Sequence, residues 1–502
     1  MTSGVRRSSR MRIAALGVMP IALGLAAAGV GAQSIRVSGI TSAQSVDVRP
    51  LVGDSVPIGQ AIGDGPYRLL ADGRLVRCIE GEAFCRFRRS GDQVTTMPVV
   101  QDLQVVAWGF GRGLSVHTHL RGRQSLGGGT FLWPRANDHF DALDAYLEVD
   151  RDTWRARLGR QWAQNGLGLY NYDGGSVVMR RGVLTAEAFG GSSLVEGLNE
   201  THTGGALGSV DDLPPDDHGY LLGLRVAARL WMRTALAGVY QRVVRADRAG
   251  MYSERVALDG STRLIGSTFD AQWTYDRIAH EVDDARLRAS RDLPRRMAAT
   301  LDLRRHRPFF ESWTIWGAFA PVGFDEARAT LGWRDRTARL SLDASGGWRR
   351  YDDAHTGLTT NPLRDNGWRA GAGAEWTPSA RWMAHADYDV DIGFGASRSD
   401  ASTGLRWSPN DGVFFGGTVS ALQNIYEFRV GTGTVVGVSV QGGLRVAHDA
   451  RVVIDGAMYA NRTSNNAPST DWSQRRVALR FEWTLGDDPG EAAVRQRRPP
   501  TP

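Results

Sequence analysis

The residues with the clearest chemical capacity are two histidines, one cysteine pair, a run of carboxylates and a great many arginines. His117 and His119, in "SVHTHL", alternate and therefore share one face of a strand, where each imidazole could serve a metal. No third ligand stands near them in sequence, so they read as polar residues and no metal centre is expected. Residues 196–218 gather Glu196, Glu200, Asp211, Asp212, Asp216 and Asp217. Such a set can hold calcium, fold inward to set the charge of a pore, or remain a solvated loop. "GFGRG" at Gly109–Gly113 lacks the helix that a phosphate loop requires and reads as a strand end. Neither H-E-x-x-H nor a Ser-His-Asp context occurs, so no catalytic residue and no cofactor is expected.

Cys78 and Cys85 are the two cysteines of the chain. The first residues give their compartment. Arg6, Arg7, Arg10 and Arg12 precede an apolar run from Ile13 to Ala32, with small residues at Val30 and Ala32. Residues 1–32 therefore read as a cleaved signal peptide, and an exported cysteine pair this close reads as a disulfide. Haem attachment would need C-x-x-C-H and zinc would need further ligands. After Ala32 no stretch approaches the roughly 20 apolar residues of a membrane helix.

All 60 basic residues are arginine, against 54 acidic ones, giving a net charge of +6. They are spread along the chain, which argues against nucleic-acid binding. Their spacing is more telling. In "WRARLGRQWAQNGLGLYNYDGG", Trp154, Ala156 and Leu158 alternate with Arg155 and Arg157, the period of a strand with one apolar and one wet face. Arg160 falls on the apolar side, where a strand end would let it snorkel. The same alternation sets Leu340, Leu342 and Trp348 against Arg339, Asp343 and Arg349. It sets Trp382, Tyr388 and Val390 against Asp387 and Asp389, and Val477, Leu479 and Phe481 against Arg476, Arg480 and Glu482.

From about Asp102 to Gly486 these segments alternate with turns of two sizes, and Trp154, Trp333, Trp376, Trp382 and Trp407 crowd beside the tight ones. A sandwich would use shorter strands meeting in a common core. The pattern predicts an all-β transmembrane antiparallel up-and-down β-barrel of about 16 to 18 strands, with both chain ends on the periplasmic side. Residues 33–101, polar and carrying the cysteines, read as a small N-terminal periplasmic β extension. Residues 102–486 read as the barrel and 487–502 as a disordered tail. The polar residues of the alternating segments, Arg155, Arg157, Arg339, Asp343, Arg349, Asp387, Asp389, Arg476, Arg480 and Glu482, are expected to line a water-filled lumen.

This pattern resembles Gram-negative outer-membrane porins. More narrowly, Gly159, Arg160 and Gln161, followed by Tyr172, Asp173 and Gly174, are similar to a G-R-Q … F-D-G signature of alginate-export-type barrels, with Tyr172 in place of Phe. The resemblance implies an outer-membrane location, lipid and lipopolysaccharide as surroundings, and passive passage of small hydrophilic or anionic solutes. It leaves the solute and any homo-oligomer open. The other reading of the same pattern is a plugged barrel that anchors a periplasmic or surface partner.

Overall fold

The computed structural model describes residues 34–48, 51–71, 75–111, 113–126, 140–194, 219–230, 233–245, 251–307, 322–352, 365–393, 396–427, 433–463 and 471–486. The expected signal peptide, the C-terminal tail and the carboxylates Glu196, Glu200, Asp211, Asp212, Asp216 and Asp217 lie outside the described residues.

The alternating segments form strands that pair antiparallel with their chain neighbours in one 22-stranded sheet. Strand Ser34–Val48 pairs on one side with Val94–Trp108 and on the other with Trp472–Gly486, which closes the sheet into a barrel. Closure removes the free edges that lipid could not satisfy. Arg36 lies opposite Gly486, so both ends of the wall share one rim, as an even strand number requires. The turns around Asp150–Asp152, Pro378–Ala380, Pro409–Asp411 and His448–Ala450 share that rim, and the longer connections lie at the other.

Two expectations need correction. The strand number is 22, not 16 to 18, because turns as short as Gly182–Val183 hardly interrupt the alternation and let two strands read as one. The segment 33–101 is also not an extension ahead of the barrel. Ser34–Val48 is wall, and its outward positions Gly39, Thr41, Ala43 and Ser45 are too small to show a period. Gly39 is covered by the side chain opposite it; a Cβ there would fall within 2.4 Å of the Trp483 ring.

Residues 51–90 form a separate four-stranded sheet, in the order Leu51–Pro57, Phe84–Ser90, Leu75–Cys78 and Tyr67–Leu69. It has a core of its own in Leu70, Val76, Cys78, Cys85 and Phe87, with the Cys78–Cys85 disulfide inside it. The pair Val48–Val94 closes its base at the rim opposite the chain ends. Outer-membrane barrels keep their short turns in the periplasm. The disulfide sheet thus stands at the rim opposite both the chain ends and these short turns.

Cross-strand partners share a face, so the register sorts the wall. Leu158, Val177, Leu222, Leu301, Val440 and Leu479 point outward and are strongly exposed, as residues meant for lipid must be in a barrel seen without it. Trp382, Trp407 and Phe415 stack at 5.7 and 5.8 Å near the short-turn rim, and Trp348 faces Trp368 near the other. These are the aromatic girdles of a membrane barrel.

Candidate channel constriction

The inward face carries charge in cross-strand pairs. Glu148 faces Arg157 in register and accepts its Nε at 2.6 Å, while the guanidinium lies 5.0 Å from the Tyr146 ring centre. Arg155, in the next inward position, holds Nε 3.9 Å from the same carboxylate. Farther round the wall, Arg286 forks onto Asp302, Arg304 pairs with Asp284, and Arg349 joins Glu326 to Asp391. Charge-assisted pairs of this kind hold long side chains against the wall.

Nine of the ten expected lining residues face inward: Arg155, Arg157, Asp343, Arg349, Asp387, Asp389, Arg476, Arg480 and Glu482. Arg339 does not. It sits in the turn before Leu340 with φ 52, exposed at the rim, because that turn needs a left-handed residue there. Asp343, Asp387, Asp389 and Asp400 are grouped on neighbouring strands, with Asp389 directly opposite Asp400, and have no cationic partner among the described residues. His117 stacks on Tyr146 at 4.8 Å, and His119 Nε2 lies 3.4 Å from Asp102. Both histidines are side chains of the inner wall.

The wall is interrupted in one place. The hairpin of strands Trp154–Asn165 and Gly168–Arg181 stays paired to its tip, but its outer pairings stop earlier, at Ala145–Arg160 and Tyr172–Ser193. Beyond those points the tip bends into the barrel and meets inward side chains of strands several places away. Asn165 Nδ2 donates to Gln241 Oε1 at 3.3 Å, Gln272 Nε2 to the Gly166 carbonyl at 3.3 Å, and Arg255 to the Leu167 carbonyl at 3.3 Å. Beneath it Ala163, Leu167, Tyr170 and Tyr172 pack on Leu221, Val239, Val243 and Ala257, the largest apolar core of the molecule among the described residues. Arg255 itself is closed off by Asp283 at 3.0 Å.

The Gly-Arg-Gln and Tyr-Asp-Gly segments are what turns this hairpin inward. In register they are one unit: Gly159 faces Gly174, Arg160 faces Asp173 and Gln161 faces Tyr172. Gly159 has φ +128, and a Cβ there would lie 2.3 Å from the Ala145 carbonyl oxygen. A Cβ on Gly174 would lie 2.1 Å from the Gly190 oxygen, so only glycine permits the strands to approach as they kink. Arg160 forks onto Asp173 at 2.8 Å twice, and its third nitrogen donates to the Ala142 carbonyl at 2.9 Å. Asn171 Nδ2 donates to Leu143 O at 3.0 Å. Ala142 and Leu143 are the carbonyls that lose the hairpin as ladder partner, and these two side chains supply the missing donors. Arg160 is therefore a staple at the bend, not a snorkelling residue. Gln161, almost fully buried, donates to Gly174 O at 3.0 Å and accepts from Ser176 at 2.8 Å.

A cavity of about 640 Å³ lies against the tip, and another of about 920 Å³ extends toward Gly182 and Val183 at the short-turn rim; both have Arg225, Asp259 and Gln272 in their linings. The alternation in "GYLLGLRVAARL" puts Arg225 opposite Leu222 and Leu224, so its inward position was open to sequence reasoning that passed over it. The inward tip left a fainter sign. Leu169 and Tyr170 make both faces apolar at one place, which breaks the alternation where the strands leave the wall.

No protein-family model matches the chain, and no curated protein matches it in sequence. Among solved structures it is similar to the OccAB2 protein of Acinetobacter baumannii, at 11% identity and a TM-score of 0.41, over 90% of this chain and 98% of that one. It is also similar to a BenF-like porin from Pseudomonas fluorescens Pf-5 (9% identity, TM-score 0.40, 90% and 99% covered). The outer membrane protein opdK from Pseudomonas aeruginosa gives 9% identity and a TM-score of 0.39 over the same shares. These are distant likenesses.

Proposed function

We propose that the protein is an outer-membrane channel through which small hydrophilic solutes, anions included, pass down their gradients. One observation carries this reading: the inward face is charged around the wall while the outward face is apolar. A charge facing lipid at mid-bilayer costs about 2 to 4 kcal/mol, so repeated arginines are tolerable only on a wet face. The inward hairpin narrows the passage on one side. The lipid-facing band meets outer-membrane lipid and lipopolysaccharide, with the disulfide sheet and longer connections at the cell surface. The resemblance to alginate-export-type barrels supports a porin-type channel and leaves the solute open.

The apolar packing under the hairpin favours a second reading, a plugged barrel with a structural or anchoring role. Purified protein in a planar lipid bilayer decides between them. A steady, salt-dependent unitary conductance is expected; its absence at any voltage would leave the plugged reading standing.

A further inference from the structure

We propose that the cavity beneath the hairpin tip is a recognition subsite for a small zwitterion, with its carboxylate held by Arg225 and its ammonium by Asp259. This rests on the channel reading for its purpose but not for its chemistry. The cavity, of about 640 Å³, is lined by Gly166, Arg225, Asp259, Gln272, Thr274 and Asp284 among others. Most of its charge is already spent. Arg255 is buried against Asp283, and Asp284 is held by Arg304 and His306. Arg225 and Asp259 are different: among the described residues neither has an ion pair or hydrogen bond. Glu187, opposite Arg225 in register, makes no ion pair with it.

Their placement keeps them from forming an ion pair, although the charge of Arg225 still reaches Asp259 through space. Arg225 faces Val239, which faces Ala257, and Asp259 lies two positions farther along that third strand. Two strand spacings and two residues put their backbones about 10 Å apart across the sheet and about 7 Å along it. Ala227, Ala237 and Ala257 fill little of the space between. The carboxylate of Asp259 rests against the tip, since a Cβ on Gly166 would fall 2.5 Å from its Oδ2. Thr274, which also lines the cavity and is almost fully buried, has a hydroxyl without a partner among the described residues.

One cation and one anion on the walls of one cavity, each without a contact partner among the described residues, discriminate by repulsion as well as attraction. A simple carboxylate reaching Arg225 brings its charge toward Asp259, and a simple amine reaching Asp259 brings its charge toward Arg225. A molecule bearing both charges, set apart by a few bonds, satisfies both walls.

The test compares 4-aminobutanoate and 6-aminohexanoate with butanoate and butylammonium on the purified full-length barrel at neutral pH. Binding is measured by calorimetry in detergent, and block of the unitary current is measured in bilayers. At least one amino acid should bind ten-fold or more tightly than both singly charged analogues. Arg225→Gln and Asp259→Asn, each checked for the wild-type heat-modifiable mobility, should remove that preference. Equal binding of all four probes by the wild type overturns the subsite, whether or not the variants fold. A preference that survives in both folded variants overturns the assignment to these residues. Binding preference without conductance would sink the channel reading alone, and conductance without preference would sink the subsite alone.

Discussion

Arg160 and Asp173 face each other across the ladder and share two 2.8 Å contacts at the point where their hairpin leaves the barrel wall. The third arm of the same guanidinium caps the Ala142 carbonyl, so one residue both closes an ion pair and repairs the ladder. Arg160→Ala should cost about 1 to 3 kcal/mol, chiefly because a carbonyl is left without its donor. Asp173→Ala should cost less, and the pair should show a coupling energy of at least about 0.5 kcal/mol in a double-mutant cycle. In bilayers the Arg160 variant should conduct more, with flickering, as the hairpin loosens. An unchanged current together with additive stabilities would remove the staple from the account.

Gly174 tests the bend from the backbone side. A methyl group there meets the Gly190 carbonyl oxygen, an atom that no side-chain motion can clear. Gly174→Ala should destabilise the barrel by about 1 to 3 kcal/mol as an overpacked site. Gly346, where a Cβ would meet nothing, is the control and should accept alanine almost freely. Unfolding in urea from detergent measures both, and equal midpoints for the two variants would contradict the close approach.

The alternation around Trp154 made the wall legible, because each inward arginine has an apolar neighbour that must face lipid. It failed at Ser34–Val48, where the outward residues Gly39, Thr41, Ala43 and Ser45 are small and Trp483 of the next strand lies over Gly39. It failed again at Arg339, whose type suits the lumen but whose position belongs to a turn. The Gly-Arg-Gln and Tyr-Asp-Gly segments were visible as a pattern. What they do depends on register, since Arg160 and Asp173 become partners only when residues 13 apart are paired across a hairpin. The place of the disulfide sheet depends on which rim holds the chain ends, a property of closure that no local pattern contains.

That placement is testable on intact cells. In a background with both cysteines replaced, a single cysteine at Ile62, exposed on the small sheet, should react with an impermeant maleimide. A cysteine at Asp411, in a tight turn at the other rim, should not. The reverse pattern would invert the barrel. The disulfide itself closes a short loop, worth about 2 to 3 kcal/mol on chain entropy. Cys78→Ser should therefore make residues 51–90 protease-sensitive while leaving the barrel heat-resistant.

Asp352, just past the wall at the long-connection rim, is held below the usual carboxylate range by the fork it accepts from Arg305. Because the folded value is the lower one, the stabilisation is complete above the unfolded value, about 3.9, and is lost as pH falls through the folded value. Both groups are partly exposed, so the effect is small. Asp352→Asn should weaken the barrel slightly at neutral pH and flatten its acid dependence. An identical acid profile in wild type and variant would show that the pair does not act on folding.

Ion preference is set by charges without partners more than by the number of arginines. Arg157 is tied to Glu148 and Arg155 lies beside the same carboxylate, so this group carries much of its own counter-charge. Asp343, Asp387, Asp389 and Asp400 instead point into the lumen without a cation among the described residues, and two of them face each other directly. Unscreened like charges on a low-dielectric wall dominate the local field. Asp387→Asn with Asp389→Asn should therefore move the reversal potential in a salt gradient toward anions. Arg155→Gln with Arg157→Gln should move it toward cations by less, since it also frees Glu148. A larger shift from the arginine pair would mean that the acidic strands lie away from the ion path, and the passage would then have to run along the side of the barrel that carries Arg157.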